Sequence, residues 1–214
     1  QADIKTATAY GVFATTAVTA ITVQDTRGVH GVHAIPDETI AAQMRVVLED
    51  IGTDAVKTGM LHSAGTIEAV AAMLAAHAPE TKLVADPVMV AKGGARLIDD
   101  TAIAAMKAVL IPRAALLTPN APEASALLGI GELRSVEDLI LAGRELRALG
   151  AAAVLMKGGH LPGETVADVL IGPEGEEVFS GPRIHSAHTH GTGCTLASAI
   201  ASGLALGWDL RDAV

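Results

Sequence analysis

A glycine-rich turn that ends in a cysteine is the stretch of this sequence best suited to bind an anion. It reads Thr189-His190-Gly191-Thr192-Gly193-Cys194-Thr195 and runs directly into a helix-like segment of small residues. Two glycines one residue apart allow a tight backbone turn, and the first amides of the following helix lack intrahelical partners. Because the helix dipole favours negative charge there, the turn predicts a phosphate cradle. Glycines also open helices for packing reasons, so the turn alone leaves both interpretations open.

Polar side chains recur where aliphatic, strand-like runs end. Open α/β sheets bind ligands in the crevice beyond the carboxyl ends of their strands, so a row of polar residues of both charge signs predicts a site for an anionic ligand and a cation. Asp86 and Glu123 are candidate ligands of Mg²⁺, which takes few carboxylates together with phosphate oxygens. Lys157 could reach a phosphate as a point charge, and Lys57 has a similar functional interpretation. The full row is Gln24, Lys57, Asp86, Asn120, Glu123 and Lys157.

Each of these residues also has a purely structural interpretation. Asp86 precedes a proline and could cap a turn. Asn120 could be a helix N-cap, with Glu123 as the acid that complements the first turn. Lys57 and Lys157 could extend from strand ends to solvent. The row as a whole, rather than any one member, therefore carries the prediction of a site.

Strand-like and helix-like segments alternate along the chain. The aliphatic runs predict strands at 12–23, 55–60, 82–85, 114–117 and 152–156, a flap or edge ribbon at 29–35, and a hairpin made of 166–171 and 177–179. The remaining patterns predict helices at 1–10, 36–50, 66–77, 100–110, 122–128 and 135–149, and another beginning near 208. This alternation calls for βαβ crossovers, and hence for an α/β fold with a largely parallel sheet and helices on both faces.

Composition narrows the class of protein. The chain has 214 residues, 50% hydrophobic but only 2% aromatic, which suits one aliphatic core and a single domain over residues 1–214. A net charge of −9 without a basic cluster argues against nucleic acid or a membrane as partner. One cysteine fits a reducing compartment, so we expect a cytoplasmic protein. Both ends of the chain look cut.

Two other kinds of site are weakly supported. His185, His188 and His190 invite a zinc interpretation, but they lack helical spacing and cysteine partners. A thiol hydrolase that uses Cys194 and His190 would need an orienting third residue, and none is identified. Neither a Walker-type sequence nor a complete G-x-G-x-x-G occurs at the glycine turn.

Seven short motifs occur in an order that resembles one kinase family. The order resembles the hydroxymethylpyrimidine/phosphomethylpyrimidine kinases, which belong to the ribokinase-like superfamily and act in thiamine biosynthesis. The resemblance runs from Gln1 to about Thr195 and beyond. The motifs are Gln1-Ala2-Asp3-Ile4-Lys5-Thr6, Gln24-Asp25-Thr26-Arg27-Gly28-Val29, Lys57-Thr58-Gly59-Met60-Leu61, Asp86-Pro87-Val88-Met89, Thr118-Pro119-Asn120-Ala121-Pro122-Glu123-Ala124, Met156-Lys157-Gly158-Gly159-His160 and His190-Gly191-Thr192-Gly193-Cys194.

The resemblance implies a three-layer α/β/α, Rossmann-like fold of the ribokinase type and, as a rule, a homodimer. It implies transfer of a phosphoryl group from ATP, with Mg²⁺, to the hydroxymethyl group of an aminopyrimidine and then to its monophosphate. Carried over by position, Gln24 would bind the aminopyrimidine edge and Met60 would line its pocket. The nucleotide phosphates would lie near residues Lys157, Asn120 and Thr189, the metal near Asp86 and Glu123, and the anion hole would be formed by Gly191, Thr192 and Gly193.

Cys194 stands where related kinases carry an aspartate base, and the resemblance implies that a thiolate takes that role. A thiol has an ordinary pKa of about 8.5, which helix N-termini lower, so we expect a lowered pKa at Cys194. Compared with the family, the chain lacks an N-terminal strand with its glycine-rich loop and the C-terminal helices. Two alternatives stay open: a pyridoxal or pyridoxine kinase, and a catalytically silent pyrimidine-binding domain.

Overall fold

The computed structural model describes residues 1–26, 28–89, 97–186 and 188–214. A two-stranded antiparallel ribbon stands apart from a six-stranded sheet, and helices surround that sheet. The strands are β1 Ala20–Gln24, β2 Val29–Ala34, β3 Ala55–Thr58, β4 Lys82–Ala85, β5 Leu116–Leu117, β6 Val154–Met156, β7 Thr165–Gly172 and β8 Gly175–Pro182. The helices are α1 Ala2–Ala9, α2 Asp37–Asp50, α3 Ala64–His77, α4 Asp100–Ala105, α5 Ala121–Leu128, α6 Val136–Ala148, α7 Thr192–Ala205 and α8 Leu210–Ala213.

The six-stranded sheet is ordered β3-β4-β5-β6-β7-β8. The first four strands are parallel, and the hairpin β7–β8 adds two antiparallel strands at one edge. Parallel neighbours end at the same edge: the amide of Asp86 donates to the carbonyl of Thr58 at 3.0 Å, and Asn120 forms a parallel bridge with Lys157. The predicted α/β class and largely parallel sheet are confirmed.

The sheet separates two apolar cores, which gives the predicted three layers. Side chains alternate along β4, so that Leu83 and Ala85 enter one core and Val84 enters the other. The larger core receives the apolar faces of α2 to α6, and the smaller one receives α7 and α8. Helix α1 packs against α7. Helices on both faces bury the central strands completely, as an aliphatic parallel sheet requires.

Two segments differ from the sequence prediction. The strand predicted at 12–23 is wrong over most of its length, because only Ala20–Gln24 is a strand and Phe13 is 83% exposed. Strand propensity reflects packing against neighbouring side chains, and Phe13 has almost none. The helix predicted at 100–110 changes to a π-helical turn at Met106–Leu110 and a 3₁₀ turn at Ile111–Arg113, since Pro112 has no amide hydrogen to donate.

Candidate active site

Asp86, Glu123 and Lys157 form a buried charged cluster at the carboxyl edge of the parallel strands. Lys157 Nζ lies 2.8 Å from Asp86 Oδ1 and 4.0 Å from Glu123 Oε2. The hydroxyl of Thr118 donates to the same Asp86 oxygen at 3.0 Å. The exposed fractions of the Lys157 and Asp86 side chains are only 13% and 2%. Two carboxyl groups therefore share one ammonium group in a poorly hydrated place.

The glycine turn lies directly against this cluster. A Cβ atom added to Gly193 would stand 3.4 Å from Lys157 Nζ and 3.9 Å from Asp86 Oδ2. The sequence placed the turn and the row of strand ends more than thirty residues apart, and the fold brings them into contact. This contact unites the predicted phosphate cradle with the predicted cation site.

The geometry of the turn leaves the start of α7 open to a ligand. Gly191 is the N-cap with φ +84°, a left-handed conformation that suits glycine. It offers no side-chain cap to the first amides of α7, while the hydroxyl of Thr192 donates back to the carbonyl of Thr189 at 3.0 Å. Unpaired amides at a helix N-terminus are a favourable site for an anion.

Glu123 serves the fold and the site at once. The structural interpretation of Asn120 and Glu123 is confirmed: each side chain accepts a hydrogen bond from the other's backbone amide, at 2.8 and 2.9 Å, in a capping box that opens α5. Burial raises the pKa of Glu123 to about 7, against the opposing influence of Lys157 and the Asn120 amide. The carboxylate thus lacks enough positive charge nearby.

A second lysine–carboxylate pair, which the sequence did not single out as such, lies on the other side of the turn. Lys57 Nζ is 2.8 Å from Asp3 Oδ1, and the hydroxyl of Ser198 donates to that same oxygen at 2.7 Å. Burial opposes ionisation of Asp3, yet the hydrogen bonds from Lys57 and Ser198 hold its pKa below the usual value. The sequence signal that could have pointed to this pair is the spacing of Cys194 and Ser198, which places both side chains on one face of α7.

Cys194 is a half-buried free thiol at the start of α7. Burial raises its pKa above the ordinary value; Asp86 and Asp3 act in the same direction, while Lys57 and Lys157 oppose them. The expectation of a lowered pKa is therefore wrong for the chain without ligands. Loss of hydration outweighs the lysines at this position.

The two candidate substrate-binding residues lie on different elements. Gln24 ends β1, is exposed, and its Nε2 lies 3.0 Å from Nε2 of His190 in the glycine turn. Met60 follows β3, is half-buried, and its carbonyl accepts a hydrogen bond from the hydroxyl of Thr19 at 2.8 Å. The ribbon is thus tied by Gln24 to the anion cradle and by Thr19 to the end of β3.

The three histidines considered for zinc have other surroundings. His185 Nε2 lies 3.0 Å from Oε2 of Glu164, His188 is exposed, and His190 contacts the ribbon. Among the described residues, no group of three or more His, Cys, Asp or Glu side chains is arranged to hold a metal ion. None of the described helices is both long and apolar enough to cross a membrane.

Known proteins are similar in sequence to this chain over nearly all of its length. A family model described as phosphomethylpyrimidine kinase matches residues 1–214. The chain is 49% identical over 214 residues to a thiamine biosynthesis bifunctional protein of Geobacter sulfurreducens, covering 100% of this chain but 43% of that protein. It is 44% identical over 202 residues to the hydroxymethylpyrimidine/phosphomethylpyrimidine kinase of Escherichia coli, covering 94% of this chain and 76% of that one.

Solved structures are similar over the whole of this chain. A phosphomethylpyrimidine kinase from Clostridium difficile superposes with a TM-score of 0.86 at 40% identity, covering 100% of this chain and 87% of that one. A pyridoxal kinase from Staphylococcus aureus, in complex with AMP-PCP and pyridoxal, superposes with a TM-score of 0.90 at 31% identity, covering 100% and 77%. The predicted ribokinase-type fold is confirmed by these similarities.

Proposed function

Because the chain belongs to the phosphomethylpyrimidine kinase family, we propose that it phosphorylates 4-amino-5-hydroxymethyl-2-methylpyrimidine with ATP and then phosphorylates the resulting monophosphate. The observation that carries the proposal is the contact between the glycine turn and the buried charged cluster, with Gly193 against Lys157 and Asp86. An anion cradle beside an ammonium group and two carboxyl groups has the parts that phosphoryl transfer needs.

In this proposal, the turn and Lys157 hold the transferring phosphoryl group. The amide of Thr192 donates to the carbonyl of Thr189, so the amides of Gly193 and Cys194 point at its oxygens, and the ammonium group neutralises the charge that they carry. Asn120, which forms a bridge with Lys157, and Thr189, whose carbonyl accepts from Thr192 in the turn, bind the neighbouring phosphates. Positioning and charge stabilisation of this kind supply most of the catalysis in phosphoryl transfer.

Cys194 accepts the proton of the substrate hydroxyl. Its raised pKa leaves the thiol mostly protonated near neutral pH in the chain without ligands. Because a loose transition state needs little deprotonation of the attacking oxygen until late in the transfer, a small thiolate population is sufficient. The thiolate accepts the hydroxyl proton and becomes a thiol as the substrate oxygen bonds to the phosphoryl group and ADP leaves. The thiol releases that proton to solvent before the next turnover, and the turn keeps the two groups in line.

Asp86 and Glu123 fit a Mg²⁺ ion that also binds the nucleotide phosphates. Mg²⁺ takes one or two carboxylates and completes its coordination with phosphate and water oxygens. The buried Glu123 carboxyl, with a pKa of about 7, needs more positive charge than Lys157 provides. When bound, the ion neutralises phosphate charge during the transfer.

The ribbon supplies the substrate side of the site. The amide of Gln24 offers both a donor and an acceptor, which suits the edge of an aminopyrimidine. Met60 lines the same pocket from the end of β3. Gln24 leaves His190 in order to bind the substrate. Gln24 therefore exchanges one hydrogen-bond partner for another, and the pyrimidine does not have to order a loose side chain.

The ribbon also supports a homodimer. Ile21 and Val23 lie on one face of β1 and are 56% and 64% exposed, whereas Val32 pairs with Thr22 and lies on the other face. Clustered exposed apolar residues are typical of protein interfaces, and a second copy of this chain is the partner that we propose. Replacing Ile21 by lysine is expected to halve the mass measured by light scattering; an unchanged mass would reject this interface.

We further propose that residues 1–214 act as one kinase domain in the cytoplasm. The chain spans about three quarters of the length of the Escherichia coli kinase and under half of the bifunctional relative. The proposal that residues 1–214 act as one kinase domain is therefore tested by comparing their turnover with that of the longest form of the protein that can be expressed.

The activity is tested by measuring ADP release with the aminopyrimidine alcohol, its monophosphate and pyridoxal. We expect product with both pyrimidines, identified by mass spectrometry. Cys194→Ala is expected to lose most of the turnover while keeping the affinity for ATP. Binding of the pyrimidine without any phosphorylated product would favour the silent binding domain instead.

A pyridoxal kinase is the second candidate, and one observation favours it: the TM-score to the Staphylococcus aureus pyridoxal kinase is 0.90. The ratio of kcat/KM for the pyrimidine to that for pyridoxal decides between the two. A ratio above one supports the pyrimidine kinase, and a ratio well below one supports the pyridoxal kinase.

A further inference from the structure

The Lys57–Asp3 pair has no part in the reaction as described so far. Lys57 is the last but one residue of β3, and only 10% of its side chain is exposed, so its ammonium group is held largely away from water. A buried ammonium group needs a partner, and Asp3 Oδ1 provides it at 2.8 Å. Asp3 itself, 46% exposed, is fixed by the hydroxyl of Ser198. The three side chains join β3, α1 and α7.

This network reaches the glycine turn through α7. Ser198 follows Cys194 by one helical turn, and residues with that spacing lie on the same face of a helix. Since Ser198 and Lys57 share one oxygen of Asp3, the network holds the ammonium group on the face of α7 that carries Cys194. Lys57 Nζ also approaches the turn after β3, 3.0 Å from where a Cβ of Gly59 would stand.

We propose that Lys57, held by Asp3 and Ser198, is a positioning residue that stabilises the ionised form of Cys194. The inference rests on the proposed role of Cys194 for its catalytic consequence. A lysine beside a thiol favours the thiolate. Because Lys57 is already held in place, it does this without the loss of side-chain entropy that a mobile lysine would suffer.

Four charged groups from four elements face Cys194: Lys57 from β3, Asp3 from α1, Asp86 beyond β4 and Lys157 beyond β6. The lysines favour the thiolate and the carboxylates oppose it. Both lysines have a carboxylate partner at 2.8 Å, Asp86 for Lys157 and Asp3 for Lys57. In the proposed function Lys157 serves the phosphates once ATP is bound, and Lys57 has no such role, so it is the ammonium group left for the thiol.

Titration of the thiol tests this directly, since Cys194 is the single cysteine of the chain. The ultraviolet absorbance of the thiolate is followed against pH, with the Cys194→Ala protein as the blank. We expect Lys57→Met to raise the pKa of Cys194 by about one unit, a tenfold smaller thiolate fraction below the pKa. Lys57→Arg keeps the charge and is expected to restore most of the wild-type value.

Lys82→Met is the matched control, because Lys82 is an exposed lysine at the opposite end of the neighbouring strand β4. It is expected to leave the thiol pKa unchanged. The acidic limb of the pH dependence of kcat should move with the thiol pKa in Lys57→Met and recover in Lys57→Arg. A thiol pKa that is equal in Lys57→Met and wild type overturns the proposal.

Lys57→Gln keeps the proposal testable if Lys57→Met does not fold, as judged by circular dichroism. Glutamine retains an amide group that can donate to Asp3 but removes the positive charge, so the thiol pKa is expected to rise. A fall, or no change, contradicts the proposal. The titration requires no turnover, so it is independent of the proposed function. If the thiol pKa depends on Lys57 but the Cys194→Ala variant stays active, Cys194 is not the base, and the effect of Lys57 on the thiol still holds.

Discussion

Glu123→Gln is expected to stabilise the protein at alkaline pH while abolishing its kinase activity. The wild-type carboxyl has its pKa raised from 4.5 to about 7 by burial, so the folded state binds a proton that the unfolded state has already released between these values. Stability of the wild type therefore falls as pH rises from 4.5 to 7 and stays reduced above that range. Glutamine does not titrate and escapes this loss.

The magnitude follows from the size of the pKa change. One pKa unit corresponds to about 1.4 kcal/mol, so the ionised Glu123 destabilises the fold by at most about 3 kcal/mol at high pH. For a chain of this size, that equals a difference of about 6–12 °C in Tm. Glutamine keeps the capping box that opens α5, because its side-chain oxygen still accepts from the Asn120 amide.

Thermal unfolding followed by circular dichroism at several pH values measures this effect. The Tm of Glu123→Gln minus that of wild type should increase steadily from about pH 5 to pH 8. Glu132→Gln, at an exposed glutamate bonded to Arg134, is the matched control and should show a small, constant difference. A Tm difference for Glu123→Gln that stays flat across this range would refute the assignment of a raised pKa to Glu123.

Three further substitutions address the site. Gly193→Ala adds a methyl group 3.4 Å from Lys157 Nζ, inside the cradle, and should lower kcat by roughly a hundredfold with an unchanged Tm; normal turnover would place the phosphoryl group elsewhere. Gln24→Ala should raise KM for the pyrimidine by about tenfold through one lost polar contact, with KM for ATP unaffected, and equal changes in both would point to a general defect. Cys194→Ser, which retains a hydroxyl of much higher pKa, should keep ATP affinity in calorimetry while losing most of kcat; full activity would rule out a base at this position.

The sequence predicted the meeting of distant residues better than it predicted local structure. Asp86, Glu123 and Lys157 were grouped because each follows a strand, and parallel strands must end at a common edge. Because that rule depends only on the order of the strands and helices, errors in their predicted boundaries do not affect it. The strand at 12–23 failed because β-branched composition does not reveal whether a neighbour is present to pack against.

Two features of the site depend on depth, which sequence patterns do not encode. Cys194 was expected to have a lowered pKa from its place at a helix start, but its burial has the opposite and larger effect. Lys57 was interpreted as a phosphate ligand or a solvated strand end, whereas it is buried against Asp3. In both cases the sequence correctly predicts the element on which the residue lies, but not how deeply the residue is buried.

The separation of the β1–β2 ribbon from the six-stranded sheet has a consequence for how such enzymes diversify. The ribbon carries Gln24 and, within the part of the chain that the structure describes, shares no strand pairing with the sheet whose ends hold Asp86 and Lys157. Substitutions that alter recognition of the acceptor can therefore accumulate in the ribbon without shifting the register of the catalytic strands. A lineage could exchange one ring-shaped vitamin precursor for another while inheriting its phosphate chemistry intact.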